Sequence, residues 1–368
     1  MKKFDYLIVG SGLYGAVFAH EMTKTGKNCI VIDKRHHFGG NTYCKSVNDI
    51  NVHMYGAHIF HTSDRRIWNY VNSFVSFNSY VNSPLAIRDN KVYNLPFNMN
   101  TFHQLWNIKT PNEAKSIIEQ QTRPYRFGRP GNLEEQALAT VGIDIYECLI
   151  KEYTEKQWGK PARNLPGSII KRIPLRFTYD NNYYTDTFQG IPIGGYNKLI
   201  AGLLHGIEVR LNVDFIRDRN ELESLAERII YTGKIDEYYD YCYGELEYRS
   251  LDFEHSELET SNFQGNAVIN YINKEIPFTR IIEHKHFEFG NQSSTVITKE
   301  FPKEFKRGGE AYYPINDQKN LSVYNDYKRL SSQQNKTIFG GRLGEFKYYD
   351  MHQIIASAMT KVRQLSSF

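Results

Sequence analysis

The chain has 368 residues, of which 40% are hydrophobic and 23% charged, so it is neither disordered nor fibrous and is long enough for two or three domains. Its 45 basic and 41 acidic residues leave a net charge of +4, too mild for a protein that coats nucleic acid and compatible with a small anionic ligand. No stretch approaches the roughly 18 apolar residues of a membrane span.

Residues 4–9 (FDYLIV) are largely apolar and stop at Gly10, which predicts a buried strand. Asp5 lies where a signal peptide would carry its apolar core, so a cytoplasmic protein with reduced thiols is expected. The cysteines at 29, 44, 148 and 242 form no C-x-x-C pair, and neither a disulfide frame nor a zinc site is expected. Residues 13–25 have helical spacing and end at Gly26, a predicted C-cap. Residues 28–32 (NCIVI) predict a second strand ending at Asp33. Together these form a β-α-β unit, whose two strands should be parallel. Thr110-Pro111-Asn112-Glu113 and Asn132-Leu133-Glu134-Glu135 read as capping boxes, and helical patterns dominate from about 101 to 157. Residues 160–190, with Pro161, Pro166, Gly167 and Pro174, suit a mobile loop followed by strands. Strand alternation there would put Arg172, Pro174 and Arg176 on one side, with Arg176 either facing the ligand or structural. The tyrosine-rich run 238–243 reads as strand packing. Residues 246–315 favour short alternating strands, such as 267–272 and 295–298. Residues 337–339 predict a strand closed by Gly340-Gly341. Asp350 then opens a helix whose Ile354, Ile355, Ala358 and Val362 share one face.

Gly10-Ser11-Gly12-Leu13-Tyr14-Gly15 is a G-x-G-x-x-G fingerprint between a strand and a helix, followed by an acid, Asp33, at the end of the next strand. Gly10 makes the turn, Gly12 lets the backbone approach a pyrophosphate, and Gly15 allows close helix–strand packing. The helix N-terminus offers N–H groups to phosphate, and Asp33 can accept from a ribose. Two features select FAD over NAD. Arg35-His36-His37-Phe38-Gly39-Gly40-Asn41 follows the acid, and Gly340-Gly341-Arg342 precedes the last helix. This pattern resembles flavoproteins of the glutathione-reductase and amine-oxidase type, in which the last helix points its N-terminus at the flavin. Asp350 would cap that helix, with Gln353 completing the box. The expected fold class is α/β: a Rossmann-like FAD-binding domain (1–65, 190–245 and 318–368), an α-helical insert (86–161) and an antiparallel β-sheet substrate domain (66–85, 162–189 and 246–317).

Seven co-linear stretches carry a closer resemblance. They are 55–62 (YGAHIFHT), 94–98 (NLPFN), 153–159 (YTEKQWG), 171–177 (KRIPLRF), 279–286 (TRIIEHKH), 340–343 (GGRL) and 348–351 (YYDM). Over residues 1 to about 365 the chain resembles bacterial UDP-galactopyranose mutase. The resemblance implies interconversion of UDP-galactopyranose and UDP-galactofuranose without net redox, supplying galactofuranose for cell-surface polysaccharide. It implies FAD that is active when reduced: flavin N5 attacks the anomeric carbon, UDP leaves, and the opened sugar recloses through its 4-hydroxyl. Arg172 and Arg280 would bind the diphosphate, Arg172 from a closing lid. Arginine suits that role through its permanent charge and forked donors. Tyr183, Tyr313 and Tyr348 would bond phosphate, Trp158 and Tyr153 would meet uridine and sugar, and Asn82 and Asn270 complete the substrate set. His61, counted as catalytic with the two arginines, would lie beside the flavin. Its i, i+3 partner His58 has no carboxylate or cysteine nearby, so no metal is expected. The cofactor set is Gly10, Ser11, Gly12, Leu13, Gly15, Asp33, Lys34, Arg35, Gly39, Gly40, Asn41, His58, Ile59, Arg342 (on the pyrophosphate), Tyr348, Asp350 and Met351. A cytoplasmic homodimer with no nucleic-acid partner is implied. The competing reading is an FAD oxidoreductase of amine-oxidase type acting on a small molecule. It shares the fold and lacks only the diphosphate arginines and the Trp158 motif. A non-enzymatic nucleotide-binding module is a third.

Overall fold

Five short apolar segments form one parallel sheet, in the order Thr337–Phe339, Ala226–Tyr231, Phe4–Val9, Cys29–Ile32, Glu208–Arg210. The computed structural model describes residues 3–126, 128–172 and 174–366, except the side chains of Lys171 and Arg172. Both faces of this sheet are covered, which explains strands that read as near-continuous apolar runs. Ile8 and Val31 face the helices Leu13–Lys24, Tyr196–Leu203 and Met351–Ser366, whereas Leu7 and Ile30 face Phe215, Leu222 and Tyr238. The first helix packs closely because residue 15 is glycine: a Cβ there would run into the Gly10 carbonyl oxygen. The helix ends as the sequence predicts, at Thr25 followed by Gly26 with φ +84°.

A second, seven-stranded sheet runs in the order Tyr313–Pro314, Tyr248–Leu258, Thr295–Glu304, Arg280–Glu283, Val268–Tyr271, Leu85–Arg88, Lys91–Asn94. It is antiparallel except that Val268–Tyr271 and Leu85–Arg88 run parallel. These two strands are far apart in sequence, so no hairpin forces them antiparallel. The hairpin 85–94, which a boundary at 86 assigns to the helical insert, pairs with the sheet while Ala86 and Tyr93 pack into the helical core. Its two-residue turn, Asp89-Asn90, has both φ angles positive (49° and 60°), the geometry that matches strand twist. The helix Arg65–Asn72, grouped by sequence with the sheet, instead buries Ile67 and Val71 in the core of the parallel domain.

The helical segment contains Met99–Trp106, Pro111–Thr122, Leu133–Thr140 and Lys151–Trp158, around Phe102, Ile118, Leu133 and Tyr146. The Thr110/Glu113 box is reciprocal. At Asn132 only half of the predicted box forms. Its side chain accepts from the Glu135 N–H (3.0 Å), but the Glu135 carboxylate turns to the Gly131 N–H (2.7 Å) and the Asn132 amide (2.9 Å). Two strand expectations fail. Gly167–Arg172 is a 3-10 helix, so strand alternation cannot align Arg172 with Arg176. The 238–243 run is the end of the helix Ile235–Tyr238 followed by turns in which Asp240 and Tyr241 take positive φ. Among the described residues no helix is long and apolar enough to cross a membrane.

Candidate active site

A cleft of about 540 Å³ opens where the seven-stranded sheet, the helical segment and the parallel domain meet. The sheet supplies its floor. Strand register places Asn270, Arg280 and Glu300 side by side on three neighbouring strands. Tyr153 reaches over from the helix Lys151–Trp158 and donates to Asn270 Oδ1 (3.3 Å). That helix is held at the sheet edge by Lys156, whose ammonium donates to the carbonyls of Tyr271, Asn273, Ile276 and Phe278 at 2.7–3.0 Å. These carbonyls belong to the segment joining the strands of Asn270 and Arg280, so one cation fixes Tyr153 and Trp158 relative to the arginine.

Arg280 Nε lies 3.2 Å from Glu300 Oε1, and the Glu300 side chain is 2% exposed. Burial disfavours the guanidinium charge, but Glu300, Tyr153, Tyr313 and Tyr348 more than offset it, and Arg280 is held firmly cationic. Burial in turn pushes the Glu300 carboxyl up while Arg280 pulls it down. Across the cleft Tyr313 and Tyr348 stack with ring centroids 5.2 Å apart. The Arg342 guanidinium sits against both rings at 5.5 and 5.1 Å and donates to the carbonyls of Tyr312 and Tyr349. It therefore faces the tyrosine pair, and its Nε is buried without a partner among the described residues. Asn82 accepts the Tyr183 N–H on its carbonyl (2.7 Å), while its buried Oδ1 has no partner among the described residues.

His58, Ile59 and His61 line the side of the cleft nearest the N-terminus of the helix Met351–Ser366. His58 Nδ1 is 2.8 Å from the Gly56 carbonyl, and burial lowers its pKa to about 4, so the ring is neutral. With Nδ1 donating to that carbonyl, Nε2 is an acceptor. Asp350 and Met351 begin the C-terminal helix at the same wall, and Gln353 Oε1 accepts the Asp350 N–H (2.9 Å), one half of the predicted box.

The glycine fingerprint lies beyond Asn41, which also lines the cleft. Asp33 accepts from Ser11 N (2.8 Å), Ser11 Oγ (2.6 Å) and Arg35 N (3.0 Å). Gly12 and Gly39 form a bridge, and Gly40 follows in a left-handed turn. Leu13 begins the first helix with Gly12 as its cap, and no side chain caps its free N–H groups. Lys34 and Arg35, expected to meet cofactor, both close on Glu310 at 2.7 and 2.8 Å, and Arg35 also holds Asn41 Oδ1 at 3.1 Å. Burial raises the Glu310 carboxyl, but these two cations outweigh it and bring it down to about 2.

Gly12 and Gly15 make opposite predictions. A Cβ on Gly12 meets nothing closer than Gly40 Cα at 3.7 Å, whereas one on Gly15 collides with backbone. Gly12→Ala should leave the melting temperature of the apoprotein within about 2 °C yet weaken dinucleotide binding at least about tenfold, read by flavin titration. Gly15→Ala should lower that temperature by several degrees.

The sequence-predicted residues Asn41, His58, Ile59, His61, Asn82, Tyr153, Trp158, Tyr183, Asn270, Arg280, Tyr313, Arg342, Tyr348, Asp350 and Met351 all line this one cleft. The Arg172 side chain lies outside the described residues. Arg176 is structural: it donates to the carbonyls of Asn182 and Tyr183 and thereby shapes the turn that presents Tyr183. Sequence reasoning missed Glu300, Glu310, Lys156 and Asp186. Glu300 had one legible signal, an acid next to Lys299 in a strand run, TVITKEF, that is otherwise apolar or neutral.

A family model described as UDP-galactopyranose mutase matches residues 148–348, and one described as NAD(P)-binding Rossmann-like domain matches 8–74. A probable UDP-galactopyranose mutase of Klebsiella pneumoniae is 38% identical over 366 residues, covering 98% of this chain and 94% of that one. The chain belongs to the UDP-galactopyranose mutase family. It is therefore an enzyme of that family with a Rossmann-like domain, as its seven motifs and its fingerprint suggest. A dTDP-fucopyranose mutase of Escherichia coli is 35% identical over 362 residues, 96% of each chain. A crystal structure of reduced UDP-galactopyranose mutase shares the fold, with a TM-score of 0.78 at 13% identity, over 100% of this chain and 94% of that one.

Proposed function

We propose that the protein interconverts UDP-galactopyranose and UDP-galactofuranose, with FAD bound in its reduced state and no net redox change. The observation that carries this reading is the row Asn270–Arg280–Glu300 opposite the stacked Tyr313 and Tyr348, in a cleft that reaches the dinucleotide cradle. The residues present fit FAD. Open space over Gly12, the uncapped N–H groups of the first helix and the Asp33 carboxylate suit an ADP half, and the second helix N-terminus at Asp350 and Met351 suits an electron-rich ring. Reduced flavin supplies a nucleophilic nitrogen for the anomeric carbon.

The chain's own groups bind and orient the nucleotide sugar. Arg280, fixed by Glu300 and always charged, takes the diphosphate and stabilises the charge that grows on it as UDP departs. Arg172 would add a second cation from the 3-10 segment. Tyr313 and Tyr348 offer phenol donors to the same oxygens, and Trp158 offers an aromatic face to the base. Asn82 Oδ1, buried and without a partner among the described residues, can accept a donor from the ligand. The enclosing tyrosines exclude water while the sugar is detached. The family's homodimeric state and cytoplasmic location are carried over with this reading.

Protein reduced with dithionite should convert UDP-galactofuranose to UDP-galactopyranose, and oxidised protein should not. Equal rates in both states would refute the reading, and reduction of the flavin by the sugar would favour an oxidoreductase. Because one relative is named a dTDP-fucopyranose mutase, dTDP-fucopyranose belongs in the same assay. Arg280 on a diphosphate is indifferent to the sugar's C6 group, so turnover of that compound alone would move the substrate but not the site.

A further inference from the structure

His61 is the middle residue of the strand Phe60–Thr62, which pairs antiparallel with Phe188–Gly190. The chain leading into that second strand carries Asp186. The pairing brings its carboxylate to the histidine, with Oδ2 2.6 Å from His61 Nδ1 and Oδ1 2.8 Å from the Ser63 hydroxyl. Ser63 Oγ also accepts the Thr187 N–H at 3.3 Å, which ties the carboxylate to the strand entry. One face of the imidazole stacks on Tyr184 at 3.8 Å and 11°. His352, from the first turn of the C-terminal helix, meets the ring edge-to-face at 5.2 Å. His61 and Asp186 both line the cleft, with side chains only 12% and 23% exposed. The ring cannot turn without losing the carboxylate or the stack.

We infer that Asp186 is a positioning residue: it keeps a hydrogen on His61 Nδ1 and so makes Nε2 the nitrogen that His61 presents to the cleft. The placement stands on geometry alone, whereas its consequence for turnover rests on the function proposed above. Burial raises the Asp186 carboxyl, but the bonds from His61 and Ser63 outweigh it and hold the group below the usual carboxylate range. An ionised carboxylate only accepts, so the hydrogen of the 2.6 Å bond belongs to Nδ1. Neutral His61 then carries its lone pair on Nε2, and protonated His61 carries a second N–H there. In both forms any exchange of a hydrogen with a bound ligand runs through Nε2. The other titratable groups facing the ring, Tyr184 and His352, make no ring-nitrogen bond that competes with Asp186: Tyr184 offers its face, and burial lowers the pKa of His352. This is the logic by which a buried acid selects the tautomer of a working histidine.

The test is a long-range ¹H–¹⁵N spectrum of histidine-labelled holoenzyme, with His61→Gln used to assign the resonance. Wild type should show His61 with Nδ1 protonated. Asp186→Asn, nearly isosteric but able to donate to Nδ1, should shift hydrogen to Nε2. It should also lower kcat for UDP-galactofuranose by about 10–100-fold with KM within about threefold. A wild-type spectrum with hydrogen on Nε2 alone would overturn the inference even if the variant fails to fold, and so would a folded variant with unchanged kcat. Nδ1–H in wild type without turnover of any nucleotide sugar would uphold the positioning and defeat the proposed function.

Discussion

Arg280→Ala is expected to lower kcat/KM by about 10³-fold or more, because a fixed cation at a departing phosphate acts on charge that is largest in the transition state. The same change removes the one cation paired with Glu300 among the described residues, leaving a carboxylate that is 2% exposed and lies 3.2 Å from Arg280 Nε. Leaving a buried charge unpaired costs about 3–5 kcal/mol, so the single variant should also melt earlier, and lost activity alone would prove little. The double variant Arg280→Ala/Glu300→Gln separates the two effects. A neutral amide of the same size removes the unpaired charge, and the melting temperature should recover most of its loss. Turnover should stay at the level of the single variant, with flavin content unchanged in both. Recovery of turnover together with stability would mean that Arg280 matters for the fold of the sheet and not for the diphosphate.

The contrast between Arg280 and Glu300 shows where sequence reading succeeds and where it stops. The β-α-β unit was legible because its signals are local: an apolar strand, glycines at set spacing, a helix and an acid. Many cleft residues, such as His58, Tyr153, Trp158, Arg280 and Arg342, were legible because they sit in short, continuous strings. Glu300, Glu310 and Asp186 were not, because each acts on a partner that only strand pairing or a chain crossing delivers: Arg280 by register, Lys34 and Arg35 across 275 or more residues, His61 through a paired strand 125 residues away. Lys156 sat inside a recognised motif, but its four carbonyl partners belong to a loop more than 100 residues away. The 3-10 segment at 167–172 and the helix end at Tyr238 misled for the opposite reason. Prolines and tyrosines bias a segment without fixing its geometry, and tertiary packing decides.

Acidification from pH 7.5 to 5.0 should cost the fold about 4–6 kcal/mol, a large share of the stability of an ordinary domain. Three histidines dominate, His53 and His284 in the core and His58 half-buried in the cleft wall, while burial lowers His20, His37, His255 and His352 more weakly. His284 Nδ1 accepts the His53 N–H (3.2 Å), and its Nε2 lies 2.6 Å from Thr298 Oγ1. His53 Nδ1 accepts the His58 N–H (3.2 Å), and its ring stacks on Phe287 at 4.7 Å. Protonating either Nδ1 would set one N–H against another. Burial is the main cause that lowers all three pKa values: His58 to about 4, His284 to about 3 and His53 well below its ordinary value. In the unfolded chain each titrates near 6.5. Between that value and the folded one the unfolded state binds more protons, so stability falls as pH falls. At pH 5.0 the gap of about 1.5 units is worth about 2 kcal/mol for each ring. Glu283 and Glu310, both lowered to about 2, act in the same direction but only as pH falls below about 4.5, whereas Glu300 and Asp236, which burial raises, act in the opposite direction and offset part of the loss. The urea midpoint should therefore drop clearly between the two pH values. His284→Gln, whose amide oxygen can still accept the His53 N–H, should remove about a third of that drop. A midpoint unchanged at pH 5.0 would mean that these rings are protonated in the folded protein without penalty, and the packing of His53 against Phe287 argues against it.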